Sequence, residues 1–415
     1  MTLLSAQLEL PFFTNLLILL VSSRVLGELF ERMKQPSMVG EIIAGIILGP
    51  SMLNLIHRTE DIKVISELGI FLLVISAGLE INIEDILRSL RGRNIIISIM
   101  AFFLPVMSGI AVGYWFGQQI MTTIFIGLCV AITALPVSIR ILIDLGKINT
   151  EAGQKIISVA IFDDVLALTI LGVLLNIKNS DMSFAAVANA VGFSLLKLIV
   201  LILLLSAAYL YIRKITKKGN YIEEWLDDIV DILKGKESLF AIFFAFVLLF
   251  ATFTETLGLH FIVGAFFASL LINETLIGKK NIKAIDKTTR NISIGFLTPI
   301  FFAGIGLEFN LYSIGNWGLF LAIIFISYAS KILGGFTGGL FAGLKKKVSL
   351  TIGLGLNARG IMELVIANIA FQAGMISTEI FSMLVLMGLL TTITTPLLLK
   401  RAFGRPEKKS VEIAQ

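Results

Sequence analysis

Asp163, Asp164, Lys331 and Arg359 lie well inside apolar stretches of this sequence, and Glu363 follows the arginine by one helical turn. If those stretches are membrane helices, each charge costs about 2.5–3.5 kcal/mol on insertion scales, so each one pairs or works. Asp163 and Asp164 sit side by side in Ile161-Phe-Asp-Asp-Val-Leu166. Neighbours on a helix point about 100° apart and so serve different partners. One carboxylate can face a cavity while the other takes a buried cation such as Lys331. An oxygen-rich anionic site without sulfur or nitrogen ligands suits a hard cation or a proton. The plainer reading is a buried salt-bridge network that only fixes helix packing. The single Cys129 and the two histidines, His57 and His260, are too few for a thiolate cluster or a histidine-rich zinc site.

Two further stretches carry helix-breaking chemistry. Ala131-Ile-Thr-Ala-Leu-Pro-Val-Ser138 holds Pro136, which removes a backbone donor and obstructs the carbonyl of Ile132, predicting an unwound segment near Thr133. Gly353-Leu-Gly-Leu-Asn-Ala-Arg-Gly-Ile-Met-Glu363 brackets Arg359 with three glycines and Asn357. Irregular backbone at membrane depth is tolerated only where protein buries it or water reaches it. Two such breaks bring helix-dipole ends together. Asp163 or Asp164 would then compensate the N-terminal ends, and Lys331 the C-terminal ends. The bland alternative is a proline kink plus small residues for close packing. His260 reads as a packed interfacial histidine, and Glu41 as a span-end residue with Arg24 as its mate. Gly334, Gly335, Gly338 and Gly339 read as points of close helix approach.

The elements that must position these residues follow from composition. Of 415 residues, 56% are hydrophobic and 15% charged, against about a quarter charged in ordinary globular chains. Thirteen apolar blocks are each long enough to span a bilayer as a helix. They run roughly over 11–30, 38–56, 63–79, 94–116, 120–143, 153–175, 183–212, 238–257, 259–277, 292–309, 316–344, 349–374 and 379–399. The charged connection at about 213–237 reads as an amphipathic surface helix. The first ten residues lack Lys and Arg, so no cleavable signal is expected. Of 34 Lys and Arg residues, 27 fall in loops and tail on one side, and only Arg58, Lys63 and Lys178 on the other. That asymmetry puts the N-terminus outside and the C-terminus in the cytoplasm of a multi-pass cell-membrane protein. It also accounts for the net charge of +5 without nucleic acid. The expected fold is all-α, with residues 1–400 as one transmembrane domain and 401–415 as a short cytoplasmic tail.

An internal repeat is also legible. Ser76-Ala-Gly-Leu-Glu-Ile-Asn82 closes the third block and Gly304-Ile-Gly-Leu-Glu-Phe-Asn310 closes the tenth. The copies lie seven helices apart, and an odd step reverses direction across the membrane, as in inverted-repeat transporters.

These motifs resemble the monovalent cation:proton antiporter-2 family, near the branch that holds the plant cation/proton exchangers. The resemblance rests on Gln35-Pro-Ser-Met-Val-Gly-Glu-Ile-Ile-Ala-Gly-Ile-Ile-Leu-Gly-Pro50, Ile132-Thr-Ala-Leu-Pro136, Asp163-Asp164, Gly258-Leu-His260, Gly306-Leu307, Lys331-Ile-Leu-Gly334 and Leu356-Asn-Ala-Arg-Gly-Ile-Met-Glu-Leu364. It implies that Asp164 binds cation and proton in turn, with Asp163 paired to Lys331. It implies Thr133 at the first helix crossing, and Arg359 with Glu363 stabilising the second broken helix. It implies no cofactor, lipid surroundings, transported Na+ or K+ with H+, and a homodimer whose mobile core moves as an elevator. Only about fifteen residues follow the last block, so control through an appended nucleotide-binding domain is not expected.

Other functions fit less well. An intramembrane aspartyl protease needs its aspartates on separate helices, and these are adjacent. A cation channel would line its pore with the same acids, and a Na+-coupled solute symporter would need an added solute for any flux. Broken helices in an inverted repeat favour alternating access over both.

Overall fold

A computed structural model describes residues 11–57, 59–81, 92–175, 237–257, 260–272 and 274–403. Within them the chain is helical, and nine helices are long and apolar enough to cross a membrane. Twelve of the thirteen expected blocks contain a helix; the block at 183–212 and the surface helix at 213–237 lie outside the described residues. The described chain divides into two compact units, the first within Met1–Ile86 and Val165–Tyr312, the second within Leu87–Asp164 and Ser313–Gln415.

The first unit begins with α1 (Phe12–Arg32), α2 (Ser37–Leu48) and α3 (Glu60–Glu80). The apolar block at 38–56 yields only twelve helical residues, because Gly49 turns extended ahead of Pro50. The oxygen of Thr59 accepts the Ile62 N–H at 3.4 Å and caps α3. α2 lies directly on backbone: a Cβ on Gly40 would strike the Leu26 carbonyl of α1. Glu41 is buried here and packs against Gly27.

Later in this unit come α8 (Ser238–Thr256), α9 (Phe261–Leu271), α10 (Glu274–Ile292, interrupted at Gly278) and α11 (Thr298–Glu308). A π-helical turn, Ser293–Leu297, joins the last two. Gly45 of α2 meets the Ala303 carbonyl of α11, and Gly306 meets that of Ile42, so only hydrogen atoms fit between these helices. The two Gly-Leu-Glu copies end their helices alike: α3 stops at Glu80 and α11 at Glu308, with Ile81 and Phe309 extended beyond. At the first copy, Arg290 donates to Glu80 at 2.7 Å and to Asp286 at 2.9 Å. His260 caps α9 through Nδ1, which accepts the Ile262 N–H at 3.4 Å.

The second unit contains α4 (Asn94–Trp115), α5 (Ile120–Ala131), α6 (Leu135–Asp144) and the start of α7 (Glu151–Leu174). It resumes with α12 (Trp317–Phe341), α13 (Lys346–Gly355), α14 (Ile361–Gln372) and α15 (Thr378–Phe403). One order therefore occurs twice: a long helix, a helix broken into two halves, then another long helix. The glycine stripe of α12 draws these parts together. Gly334 and Gly338 lie on the α4 backbone at Met100 and Ile97, while Gly335 and Gly339 lie on Gly353 and Ser349 of α13.

Candidate functional site

The first break is built as the sequence predicts and then differs in detail. α5 ends at Ala131, Ile132 to Ala134 run extended, and α6 starts at Leu135 with Pro136 in its opening turn. The missing N–H of Pro136 is harmless there, because first-turn donors have no partner within a helix. The proline thus starts a new helix instead of kinking an old one. The second break spans Leu356 to Gly360, between α13 and α14.

The two unwound segments satisfy each other. Ala134 N–H donates to the Ala358 carbonyl at 2.8 Å, and Thr133 Oγ1 donates to the Leu356 carbonyl at 2.9 Å. Helix hydrogen bonds lost at one break are thereby replaced by bonds to the other, as a water-poor interior requires. Asn357 turns its Nδ2 back onto the Gly353 carbonyl at 3.0 Å and closes the end of α13.

Arg359 is fully buried within the second break, yet its guanidinium serves the first. It donates to the Cys129, Val130 and Ile132 carbonyls at the C-terminal end of α5, and to the Ser327 carbonyl of α12 at 3.4 Å. A forked, permanently charged group suits several carbonyls at the negative end of a helix dipole. The sequence reading gave that task to Lys331, and the structure gives it to Arg359.

Lys331, also fully buried, instead donates to Asp163 Oδ2 at 2.7 Å and to the Ala101 carbonyl of α4 at 3.0 Å. Asp163 is wholly enclosed and Asp164 is 2% exposed, so both acids are buried. Asp163 or Asp164 is expected to compensate a half-helix N-terminus, but the acid in the first turn of α14 is Glu363. Its carboxylate stands 4.0 Å from Arg359.

Thr392 is a contributor that sequence reasoning missed. Buried in α15, it donates from Oγ1 to the Arg359 carbonyl at 2.9 Å and so ties the second break to the last helix. Its signal was present: Thr391-Thr392 is a polar pair in the middle of an apolar block. The arrangement brings Asp163, Lys331, Thr133, Asn357, Arg359 and Glu363 into one unit. In it, the dipole end of α5 is neutralised and a carboxylate pair is held beside an ammonium.

Comparison with known proteins agrees with this geometry. A family model described as "Sodium/hydrogen exchanger, transmembrane" matches residues 16–401. A Bacillus cereus protein named Na(+)/H(+)-K(+) antiporter GerN is 30% identical over 97% of this chain and 98% of its own length. Cation/H(+) antiporter 15 of Arabidopsis thaliana is 28% identical over 97% of this chain, which covers 49% of that longer protein. The solved structure of the sodium proton antiporter MjNhaP1 from Methanocaldococcus jannaschii superposes with a TM-score of 0.68 at 16% identity, covering 94% of this chain and 96% of that one. At that identity the likeness speaks for the fold.

Proposed function

The chain belongs to the sodium/hydrogen exchanger family, and we propose that its cation and proton compete for one buried carboxylate, Asp164. As a member it is a membrane antiporter and not an enzyme. The observation that carries the proposal is the 2.7 Å pair between Asp163 and Lys331. Asp163 is thus held in an ion pair, and the exchanged ion is placed on its buried neighbour Asp164, the acid to which the resemblance to the antiporter family assigns it. A carboxylate must lose its proton to bind a hard cation, so two ligands that exclude each other at one oxygen pair become coupled. The mutually bonded breaks support alternating access, because their hydrogen bonds do not depend on either end of the unit staying shut.

The cation is Na+ or K+; the name of the Bacillus relative includes both. No cofactor enters the proposal. A cation channel or Na+-coupled symporter has no support in the names of the relatives. Purified protein in acid-loaded liposomes should release protons when Na+, K+ or Li+ is added outside, and the order of response will identify the ion. Cation flux that never moves protons would end the antiport reading.

We also propose a homodimer surrounded by lipid, with residues 1–400 transporting and 401–415 forming a cytoplasmic tail. Helix α15 carries on to Phe403 at that boundary. The 27-to-3 division of basic residues supports an outside N-terminus in a cell membrane. Cysteine placed at Ser410, in a background lacking Cys129, should react with impermeant thiol reagents in inverted vesicles and not in intact cells. The opposite pattern would reverse the topology.

A further inference from the structure

Glu363 has no place in the exchange step just described, yet its surroundings are unusual. Its side chain is completely buried, and neither carboxyl oxygen meets a hydrogen-bond donor within the described residues. Its nearest cation among the described residues is Arg359 at 4.0 Å. Charge-assisted N–H···O⁻ bonds close to about 2.7–2.9 Å, so this pair stands open. The reason lies in Arg359, whose two terminal nitrogens are committed to carbonyls of Cys129, Val130, Ile132 and Ser327. Its Nε–H has no acceptor among the described residues.

Among the described residues, α5 and α15, the helices packed most extensively against α14, bring Glu363 no other charge. On α5 the only titratable residue is Cys129. On α15 the facing residue is Gly388, where an added Cβ would lie 3.3 Å from Glu363 Oε1. The charged residues of α15, Glu379, Lys400 and Arg401, are at its ends. They lie roughly 13 Å or more away along the axis at 1.5 Å per residue. Asp163 and Lys331 interact with Arg359, but with each other more closely. An ionised carboxylate without donors in such a site costs several kcal/mol, whereas a carboxylic acid is an ordinary buried polar group.

We propose that Glu363 is a second proton-binding site, which holds a proton in this conformation and, once ionised, competes with the carbonyl end of α5 for Arg359. Loss of the proton turns Glu363 into the stronger acceptor and draws the guanidinium from the first break. Protonation returns it. The site thereby links proton occupancy in one half-helix to the capping of the other. The presence of the proton stands on the burial and the open pair alone; its effect on transport rests on the exchange reading above.

Infrared difference spectroscopy of the purified protein, recorded between neutral and strongly alkaline pH, tests the proton directly. Wild type should show a protonated-carboxyl C=O band that Glu363→Gln loses and Glu363→Asp shifts in frequency. A band unchanged in both variants would overturn the proposal, whether or not the protein exchanges ions. Should the glutamine variant fail to fold, the frequency shift in Glu363→Asp decides alone. In liposomes at saturating cation, Glu363→Gln should lose one titrating step from the pH profile of exchange. Profiles that superpose on wild type would refute the coupling to Arg359 and leave the spectroscopic result standing for the proton itself.

Discussion

Replacing Asp164 with asparagine is expected to abolish coupled exchange, leaving proton movement at the level of protein-free liposomes. The carboxamide keeps the size of the side chain and one of its oxygens. It cannot gain or lose a proton near neutral pH, so cation and proton no longer displace one another. The fold should survive, because asparagine keeps the shape of the buried Asp164 side chain and its amide can still accept and donate hydrogen bonds. Asp163→Asn supplies the contrast. It takes from the buried Lys331 ammonium the anion it is paired with at 2.7 Å, and breaking a buried pair from one side costs about 3–5 kcal/mol. Thermal unfolding of the two purified variants should therefore separate them, with Asp163→Asn the less stable. Asp164→Asn protein that is folded and still exchanges like wild type would remove Asp164 from the transport site.

Local chemistry was legible in the sequence, and long-range partnership was not. Pro136 announces a break near Thr133 because a missing donor acts within one turn. The glycines around Arg359 announce the second break for a similar reason. What no local rule contains is that Arg359 would cap a helix end some 230 residues earlier in the chain, at Cys129 and Val130. That depends on how α13 and α14 cross α5 and α6, a crossing joined by long-range bonds such as Ala134 N–H to the Ala358 carbonyl. Adjacency of Asp163 and Asp164 predicted two partners in two directions without saying which acid meets Lys331. The family resemblance chose Asp163, and the 2.7 Å contact has the same choice. Block lengths misled for a different reason. Hydropathy alone does not register Gly49-Pro50, so the block at 38–56 looked like a full span where the helix ends at Leu48. The block at 120–143 holds both α5 and α6, one apolar span with the expected break inside it.

Replacing Lys331 with glutamine is expected to move the activity profile to the alkaline side by roughly one to three pH units, the usual reach of an opposite charge at contact distance. In the wild type, Lys331 Nζ lies 2.7 Å from Asp163 Oδ2, with both groups fully buried and Asp164 next along the helix. Such a charge favours the ionised forms of two closely spaced carboxylates, which titrate as a pair. Glutamine can still donate a hydrogen bond but brings no charge. Ionisation of the pair becomes less favourable, so protons compete with the cation up to higher pH. Two readings follow at once: the profile moves to alkaline pH, and apparent cation affinity at neutral pH weakens. If the pair serves packing alone, the variant instead loses stability while surviving protein keeps the wild-type profile. Exchange measured against pH on purified, folded Lys331→Gln separates the two. A profile unchanged or moved to the acid side would take Lys331 out of the mechanism, because the sign follows from the charge removed and not from how well the new side chain packs.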